Sequence, residues 1–296
     1  MNHSEKVREL AKMFLRDNIG YLGGDYDFMD NVRINKKEIS KFYIPQIKYN
    51  REISGCVENV LIYLIFNSIN FCYWYGSNSI YPDQVDNKSG NSGSSFLLYL
   101  VESSVKEGSF DDIFETLVEK LIKYKIPYLK DRILNLKEIL IDGKENTQSF
   151  KYMIEFNNNN NAQYILNKLI NNYPISFADD MFLKRAQLLI KMLYENFGFF
   201  QDNINTITVP ADYQIPKVLE YYRLIEYDEK LKNIIKNKEL IPKGSSLECQ
   251  IRAATILTCD YLAEVNNINT CMVDTFLFNE KNNIYNPFHL TITTDY

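Results

Sequence analysis

Apolar residues recur at helical spacing through most of this chain, and this periodicity limits its fold more than any other feature. The predicted helices cover about residues 4–15, 109–121, 162–172, 180–196 and 245–262. Several begin at a capping residue, and Ser245 with Glu248 forms a capping box. Strand patterns are sparse: residues 32–34 are one candidate, and residues 288–294 alternate apolar and polar side chains. The sequence therefore predicts a mainly α protein with a few short strands.

Length and charge favour one domain that binds neither a membrane nor a nucleic acid. A chain of 296 residues can form one large domain or two small ones. No internal repeat or linker-like change of composition divides it, so we expect a single compact helical domain over residues 1–296. The net charge of −5 argues against partners such as duplex DNA or anionic membranes. The longest unbroken apolar run, residues 60–66, is too short to span a bilayer.

The cysteines indicate the cellular compartment, and the small number of histidines limits the kinds of catalytic site that the chain can form. The five cysteines form no Cys-x-x-Cys pair, and the chain shows no signal-peptide pattern, so we expect a reducing, cytoplasmic location. The two histidines, His3 and His289, offer too little for a histidine-based metal site or a Ser-His triad. We therefore expect no metal.

The segment 63–74 is predicted to be a buried helix, because it is apolar on nearly all sides. Tyr63, Asn67, Asn70 and Trp74 would share one face of this helix. Burying two amides is unfavourable unless each finds a hydrogen-bonding partner. Two interpretations stay open: a network of hydrogen bonds between helices, or a pocket wall that reads the polar edge of a heterocycle.

Asp212 lies between Pro210 and Pro216, just before a helix that we predict to begin near Pro216. One interpretation is a turn or capping aspartate, which is common at such positions. The other is a positioned catalytic carboxylate. The local pattern alone leaves both open.

Three basic residues on two predicted helices also have alternative roles. Lys184 and Arg185 are either a solvated surface pair or the ligands of a phosphate group. Arg252 lies among apolar neighbours, so we expect a partner of opposite charge.

Five segments follow one another in the order SGCVENVLIYLIFNSINFCYW, YPD, FLKRAQLL, ADYQIPKVL and QIRAAT. Together they resemble the queuosine salvage protein family, the queuosine 5′-phosphate N-glycosylases. The first is similar to a family segment that ends in Asn-Phe-Cys-Phe-Trp, and the fourth is similar to Ala-Asp-Tyr-Arg-Val-Pro-Gln. Each segment alone is weak evidence, but five in the same order are specific.

The resemblance implies a mostly α-helical domain, distantly similar to the helical DNA glycosylases. It implies a small-molecule substrate, queuosine 5′-monophosphate, from which water releases the base queuine, and it leaves queuosine itself open as a second substrate. No metal or organic cofactor is implied. Because an N-glycosidic bond breaks through an oxocarbenium-like sugar, a fixed carboxylate near the anomeric carbon stabilises the reaction.

The motif residues carry over as implied roles. Asp212 matches the family's motif aspartate as the catalytic residue, and Tyr213 is expected to pack on the sugar or the base. The residues assigned to the base pocket are Asn70, Phe71 and Trp74, with Phe71 alternatively in the core. Either Lys184 or Arg185 is expected to bind the 5′-phosphate.

Several positions depart from the family pattern. Asn67 stands where the family has aspartate, so its predicted contact with the base or with the amine of the base is open. Gln214 replaces an arginine. In the tail, Leu290 and Ile292 replace two arginines, which leaves His289 among the predicted phosphate ligands.

Two other functions compete with this one. A binding protein that kept the pocket without hydrolysis would retain the same motifs. A DNA or tRNA glycosylase would need a glycine-rich hairpin and a basic face, and this acidic chain shows neither pattern.

Overall fold

Fourteen α-helices and one small sheet are present in the described part of the chain, residues 1–16, 26–29, 31–51, 56–74, 93–156 and 161–296 of a computed structural model. The helices are α1 (His3–Arg16), α2 (Lys36–Ile39), α3 (Cys56–Ile69), α4 (Gly93–Glu107), α5 (Ile113–Lys123), α6 (Leu129–Lys137), α7 (Lys144–Phe156), α8 (Ala162–Asn172), α9 (Pro174–Phe177), α10 (Lys184–Phe197), α11 (Gln214–Tyr221), α12 (Glu229–Lys236), α13 (Ser246–Asn266) and α14 (Thr270–Glu280). The antiparallel strands β1 (Tyr26–Phe28), β2 (Val32–Asn35) and β3 (Ile225–Tyr227) form a sheet in the order β1-β2-β3. The prediction of a mainly α protein with few strands is confirmed.

The chain folds into two units. The first contains Met1–Tyr49 and Asp202–Ile292, and the second contains Asn50–Gln201 and Thr293–Tyr296. The sequence-based expectation of one domain over residues 1–296 stays a prediction.

The first unit is built around α13, which packs against α1, α14 and the strand β2. Ser245 caps α13 as predicted, because its hydroxyl accepts a hydrogen bond from the backbone N–H of Glu248 at 3.3 Å. One turn later Arg252 forms a buried ion pair with Glu248, with 3.3 Å between Nη1 and Oε1. The predicted partner of opposite charge for Arg252 is confirmed.

The second unit is built around α3, which packs against α4, α6, α7 and α10. Its burial is as predicted, but its length is not: the helix ends at Ile69 instead of continuing to Trp74. The N–H of Phe71 turns back to the carbonyl of Ile69 at 3.1 Å, and Cys72 has a φ of 24°. Asn70 and Trp74 therefore do not lie on the helical face predicted for them.

The tail also departs from its prediction. Residues 288–294 form no strand, and only Leu290 makes an isolated bridge, with Leu240. The alternation does not mark an apolar buried face here, since the polar His289, Thr291 and Thr293 are buried while the apolar Ile292 is exposed.

Several helix starts differ from the predictions by a few residues. Helix α10 begins at Lys184 because the carboxylate of Asp180 accepts the N–H groups of Phe182 and Lys184 at 3.0 and 2.7 Å. Helix α1 begins at His3, one residue before the predicted cap, and α11 begins at Gln214 with Pro216 in its first turn.

Of the helices that the structure describes, none combines the length and apolar character that crossing a membrane requires.

Candidate active site

Asp212 is fixed at the start of α11 by a turn. Its Oδ1 accepts a hydrogen bond from the backbone N–H of Gln214 at 2.7 Å, and the residue is half-buried. Among the described residues, none donates a hydrogen bond to its second carboxylate oxygen. The turn interpretation is therefore correct for one oxygen, while the other remains available to a ligand or a water molecule.

Arg252 holds the residue before Asp212. Its Nε donates a hydrogen bond to the carbonyl of Ala211 at 3.1 Å, and both residues are fully buried. The backbone on the N-terminal side of Asp212 is thus tied to α13, and its side chain is tied to α11. Sequence analysis predicted the charged partner of Arg252 but missed this positioning role, since the two segments lie 41 residues apart.

The tail of the first unit reaches the same place through its aromatic rings. The rings of Tyr213 and Phe288 lie 4.7 Å apart between centroids, at an angle of 40°. The next residue, His289, is 1% exposed. Burial, and to a lesser degree the positive charge of Arg252, lowers the pKa of His289 to about 3. The imidazole is therefore neutral at pH 7, so any contact with a phosphate would be a neutral hydrogen bond.

Lys217 supplies a positive charge on the helix that follows Asp212. Its Nζ donates to the carbonyls of Lys281 and Ile284 at 3.2 and 3.3 Å. Burial lowers the pKa of Lys217, and the carboxylate of Asp212 opposes this shift. Asp212 therefore lies in the field of a half-buried cation.

In the second unit, the end of α3 leads into a turn, residues 70–74, that contains three predicted base-binding residues. The Oδ1 of Asn70 accepts a hydrogen bond from the hydroxyl of Tyr73 at 2.6 Å. Phe71 is fully buried, and its ring lies 4.4 Å from the guanidinium of Arg132 and 5.3 Å from that of Arg185. Trp74 is 1% exposed. The burial of Phe71 matches the core alternative, and the base-binding roles stay predictions.

Arg132 binds this turn from another helix, and sequence analysis missed it. It is fully buried on α6, and its terminal nitrogens donate to the carbonyls of Ile69, Phe71 and Cys72. Its Nε donates to the carbonyl of Pro127 at 2.8 Å. Carbonyls at the end of a helix lack helical donors, and an arginine side chain can satisfy them. No local pattern reveals such a partner about 60 residues away.

Lys184 and Arg185 are 4% and 2% exposed, so the interpretation as a solvated surface pair is wrong. Arg185 donates hydrogen bonds to the carbonyls of Ser68 and Ile175. Burial lowers the pKa of Arg185 to about 10, against the opposing charges of three aspartates, and the group stays cationic at pH 7. Its predicted contact with phosphate stays a prediction, as does that of Lys184.

Asn67 is fully buried in the last turn of α3. Its Nδ2 donates to the carbonyl of Tyr63 at 2.8 Å and to the sulfur of Met192 at 3.3 Å. An ionised aspartate, the family's residue here, has no proton to donate to either atom. Within the described residues, the Oδ1 of Asn67 has no hydrogen-bonding partner. Its predicted substrate contact stays untested.

The second unit also has an open groove of about 530 Å³. Its walls include Asp131, Asn135, Ile175, Asp179 and Thr294, but none of the predicted site residues. Across the described ranges, no three histidine, cysteine, aspartate or glutamate side chains are grouped to hold a metal ion.

Comparison with known proteins decides the family. A family model described as "Queuosine salvage protein" matches residues 55–294, which include every predicted site residue. The chain belongs to the queuosine salvage protein family. The resemblance found in its motifs is therefore confirmed, although the YPD segment at 81–83 lies outside the described residues.

Curated relatives in this family carry the name queuosine 5′-phosphate N-glycosylase/hydrolase. The chain is similar to the one from Dictyostelium discoideum, with 28% identity over 268 residues, which cover 83% of this chain and 79% of the relative. It is 35% identical to the Nematostella vectensis protein over 157 residues, 47% of this chain and 44% of that one. The Schizosaccharomyces pombe protein is 26% identical over 187 residues, 57% of this chain and 53% of that one.

Proposed function

We propose that this chain is an N-glycosyl hydrolase that releases queuine from queuosine 5′-phosphate, with water as the nucleophile. Membership of the family and the names of its relatives support the reaction and the substrate. The observation that carries the proposal is Asp212, whose carboxylate is fixed through one oxygen and open at the other. The four cysteines whose side chains the structure describes are buried and form no disulfide, which supports the further proposal of a reducing, cytoplasmic location.

Asp212 is the proposed catalytic residue. As the bond between base and sugar stretches, positive charge develops at the anomeric carbon, and a nearby carboxylate stabilises it. The N–H of Gln214 fixes Oδ1, so the carboxylate needs no reorientation during the reaction. The second oxygen is then free to orient and deprotonate the attacking water. The ammonium group of Lys217, on α11, interacts with this carboxylate.

The leaving base gains negative charge as the bond breaks, and a 7-deazaguanine lacks N7 as a protonation point. Hydrogen-bond donors at its remaining edge must therefore absorb this charge. We propose Asn70 as one donor, with Trp74 and Phe71 shaping the base pocket and Asn67 contributing a second polar contact. We assign the 5′-phosphate to Lys184 or Arg185, with His289 as a neutral ligand, and Tyr213 to packing on the sugar or base. The partner is this small molecule, with no nucleic acid or membrane.

Asp212→Asn tests the catalytic role without removing the turn, since the asparagine oxygen can still accept the N–H of Gln214. We expect kcat for queuine release from queuosine 5′-monophosphate to fall on the order of 10²–10³-fold, as for other lost electrostatic contacts to a transition state. Queuine is measured by mass spectrometry.

Asp228→Asn is the matched control. Asp228 caps α12, and its Oδ1 accepts the N–H of Leu231 at 2.7 Å, the same distance as in the Asp212 turn. We expect this variant to keep its activity. Equal release by the Asp212 variant and the parent would remove Asp212 from catalysis, whereas a parent that binds queuine but releases none would favour the binding-protein alternative.

A further inference from the structure

The turn 70–74 contains a hydroxyl that none of the proposed catalytic steps uses, that of Tyr73. Tyr73 is 7% exposed, and its hydroxyl donates to the Oδ1 of Asn70 at 2.6 Å. The family segment quoted above has phenylalanine at this position, so the hydroxyl is a feature of this chain. Burial raises the pKa of Tyr73 well above its ordinary value, so the phenol keeps the proton that it donates.

This hydrogen bond fixes which end of the Asn70 amide is offered to a ligand. An asparagine amide has one accepting oxygen and one NH₂ group with two donors. Because the hydroxyl occupies the oxygen, the NH₂ group is the free end, and it donates no hydrogen bond among the described residues. Asn70 is itself 6% exposed, so its amide is held in a largely buried place.

Arg132 fixes the position of the Tyr73 ring. Its guanidinium lies 5.3 Å from the centroid of the Tyr73 ring, a distance typical of a cation–π contact. The same guanidinium binds the carbonyls of Phe71 and Cys72, the two residues that precede Tyr73. The ring therefore has few alternative positions, and the direction of its hydroxyl is fixed.

We propose that Tyr73 is a positioning residue that orients the Asn70 amide so that its NH₂ group faces a hydrogen-bond acceptor on the departing base. This inference rests on the function proposed above and deepens it. The ligand class that fits is a heterocycle whose edge carries oxygen or nitrogen acceptors that become more negative as the bond breaks. A donor fixed in advance stabilises that charge without reorganisation.

Tyr73→Phe removes the hydroxyl and keeps the ring. We expect kcat to fall on the order of 10-fold with KM within about 3-fold, because the lost effect acts mainly on the transition state. Tyr173→Phe is the matched control in the same unit, since that buried hydroxyl pairs with the Thr147 hydroxyl at 3.0 Å. We expect its kcat and KM to be unchanged.

A double-mutant cycle separates positioning from a general structural role. We expect Asn70→Ala to lower kcat on the order of 100-fold, and Tyr73→Phe to add nothing in that background. Asn70→Asp should match Asn70→Ala, because a carboxylate accepts the tyrosine proton but donates nothing. Losses that multiply in the double variant, or an unchanged kcat in Tyr73→Phe, would overturn the proposal.

Queuine binding keeps this test separate from the test of hydrolysis. Trp74 is the single tryptophan of the chain and adjoins Tyr73, so quenching of its fluorescence by queuine gives a Kd without turnover. If the parent binds queuine but releases none, the same non-additivity in Kd supports the positioning role while hydrolysis fails. If the cycle is additive while the parent hydrolyses, only the positioning role fails. A parent that neither binds nor releases queuine rejects both.

Discussion

Replacing Arg132 by methionine should destabilise the second unit more than any surface change on the same helix. The variant keeps much of the side-chain volume but removes the donors to four backbone carbonyls. The carbonyl of Ile69 retains the N–H of Phe71, so three carbonyls, those of Pro127, Phe71 and Cys72, lose their described donor. A buried acceptor without a partner costs about 1–3 kcal/mol, so three of them would cost about 3–9 kcal/mol. Because single substitutions rarely cost more than about 5 kcal/mol, we expect a loss of roughly 3–5 kcal/mol in the free energy of unfolding.

Urea unfolding measures this loss with two probes. Far-UV circular dichroism follows the helices, and the fluorescence of Trp74 follows the turn. We expect Arg132→Lys to be intermediate, since an ammonium group has three donors and lacks the fork that reaches both sides. Lys130→Met is the control: Lys130 is exposed on α6, and the change removes the same charge. We expect its effect to be within about 0.5 kcal/mol. A loss below about 1 kcal/mol in Arg132→Met, with Trp74 emission unchanged, would refute the reasoning.

Two further predictions concern His289 and Gly143. In the folded state His289 is neutral, with a pKa of about 3. In the unfolded chain the same imidazole takes up a proton below about pH 6.5, so the free energy of unfolding decreases as the pH falls below that value. Urea unfolding should show a contribution of about 2 kcal/mol lost by pH 5 in the parent but absent in His289→Gln, and an equal pH dependence in both proteins would contradict this. In Gly143→Ala the added Cβ would collide with the backbone oxygen of Glu138 and lie 3.1 Å from the ring of Tyr173, which should cost about 1–3 kcal/mol. Gly108→Ala, whose Cβ would meet only the side chain of Asp112, should cost less, and thermal melts that rank the two variants the other way would count against this account.

Local patterns predicted the features that local physics determines. The bounds of α8 agree with the predicted range 162–172, since its apolar stripe and its Asn161 cap are both encoded within the segment. The cap of α13 at Ser245 follows in the same way. In each case the interactions that fix the element join residues close together in sequence.

The errors lie where distant residues decide. Helix α3 was expected to reach Trp74, because nothing in the segment 63–74 announces a stop. Its end is stabilised by Arg132, Asn135 and Arg185, which bind the carbonyls of residues 68–72 from other helices. Likewise, adjacent charged side chains usually face water. Arg185 is buried because the backbone carbonyls of Ser68 and Ile175 accept hydrogen bonds from its guanidinium.

The candidate site shows the same division. The local pattern around Asp212 gave its turn as one of two interpretations, and the partner in that turn lies two residues away. The hydrogen bond from Arg252 to Ala211 could not be predicted from sequence, because it joins residues 41 positions apart. The hydrogen bond that orients Asn70 could not be predicted either, because it depends on the early end of α3.

The second unit is discontinuous in the chain, and this has a consequence for biosynthesis. Its residues 293–296 follow the whole of the first unit, and the carbonyl of Tyr296 accepts the N–H of Cys72 at 3.0 Å. Residue 296 must therefore be synthesised before the turn at 70–74 can form all of its contacts. The turn is complete only after every other described element has been translated. A fragment expressed as residues 50–201 would lack this segment.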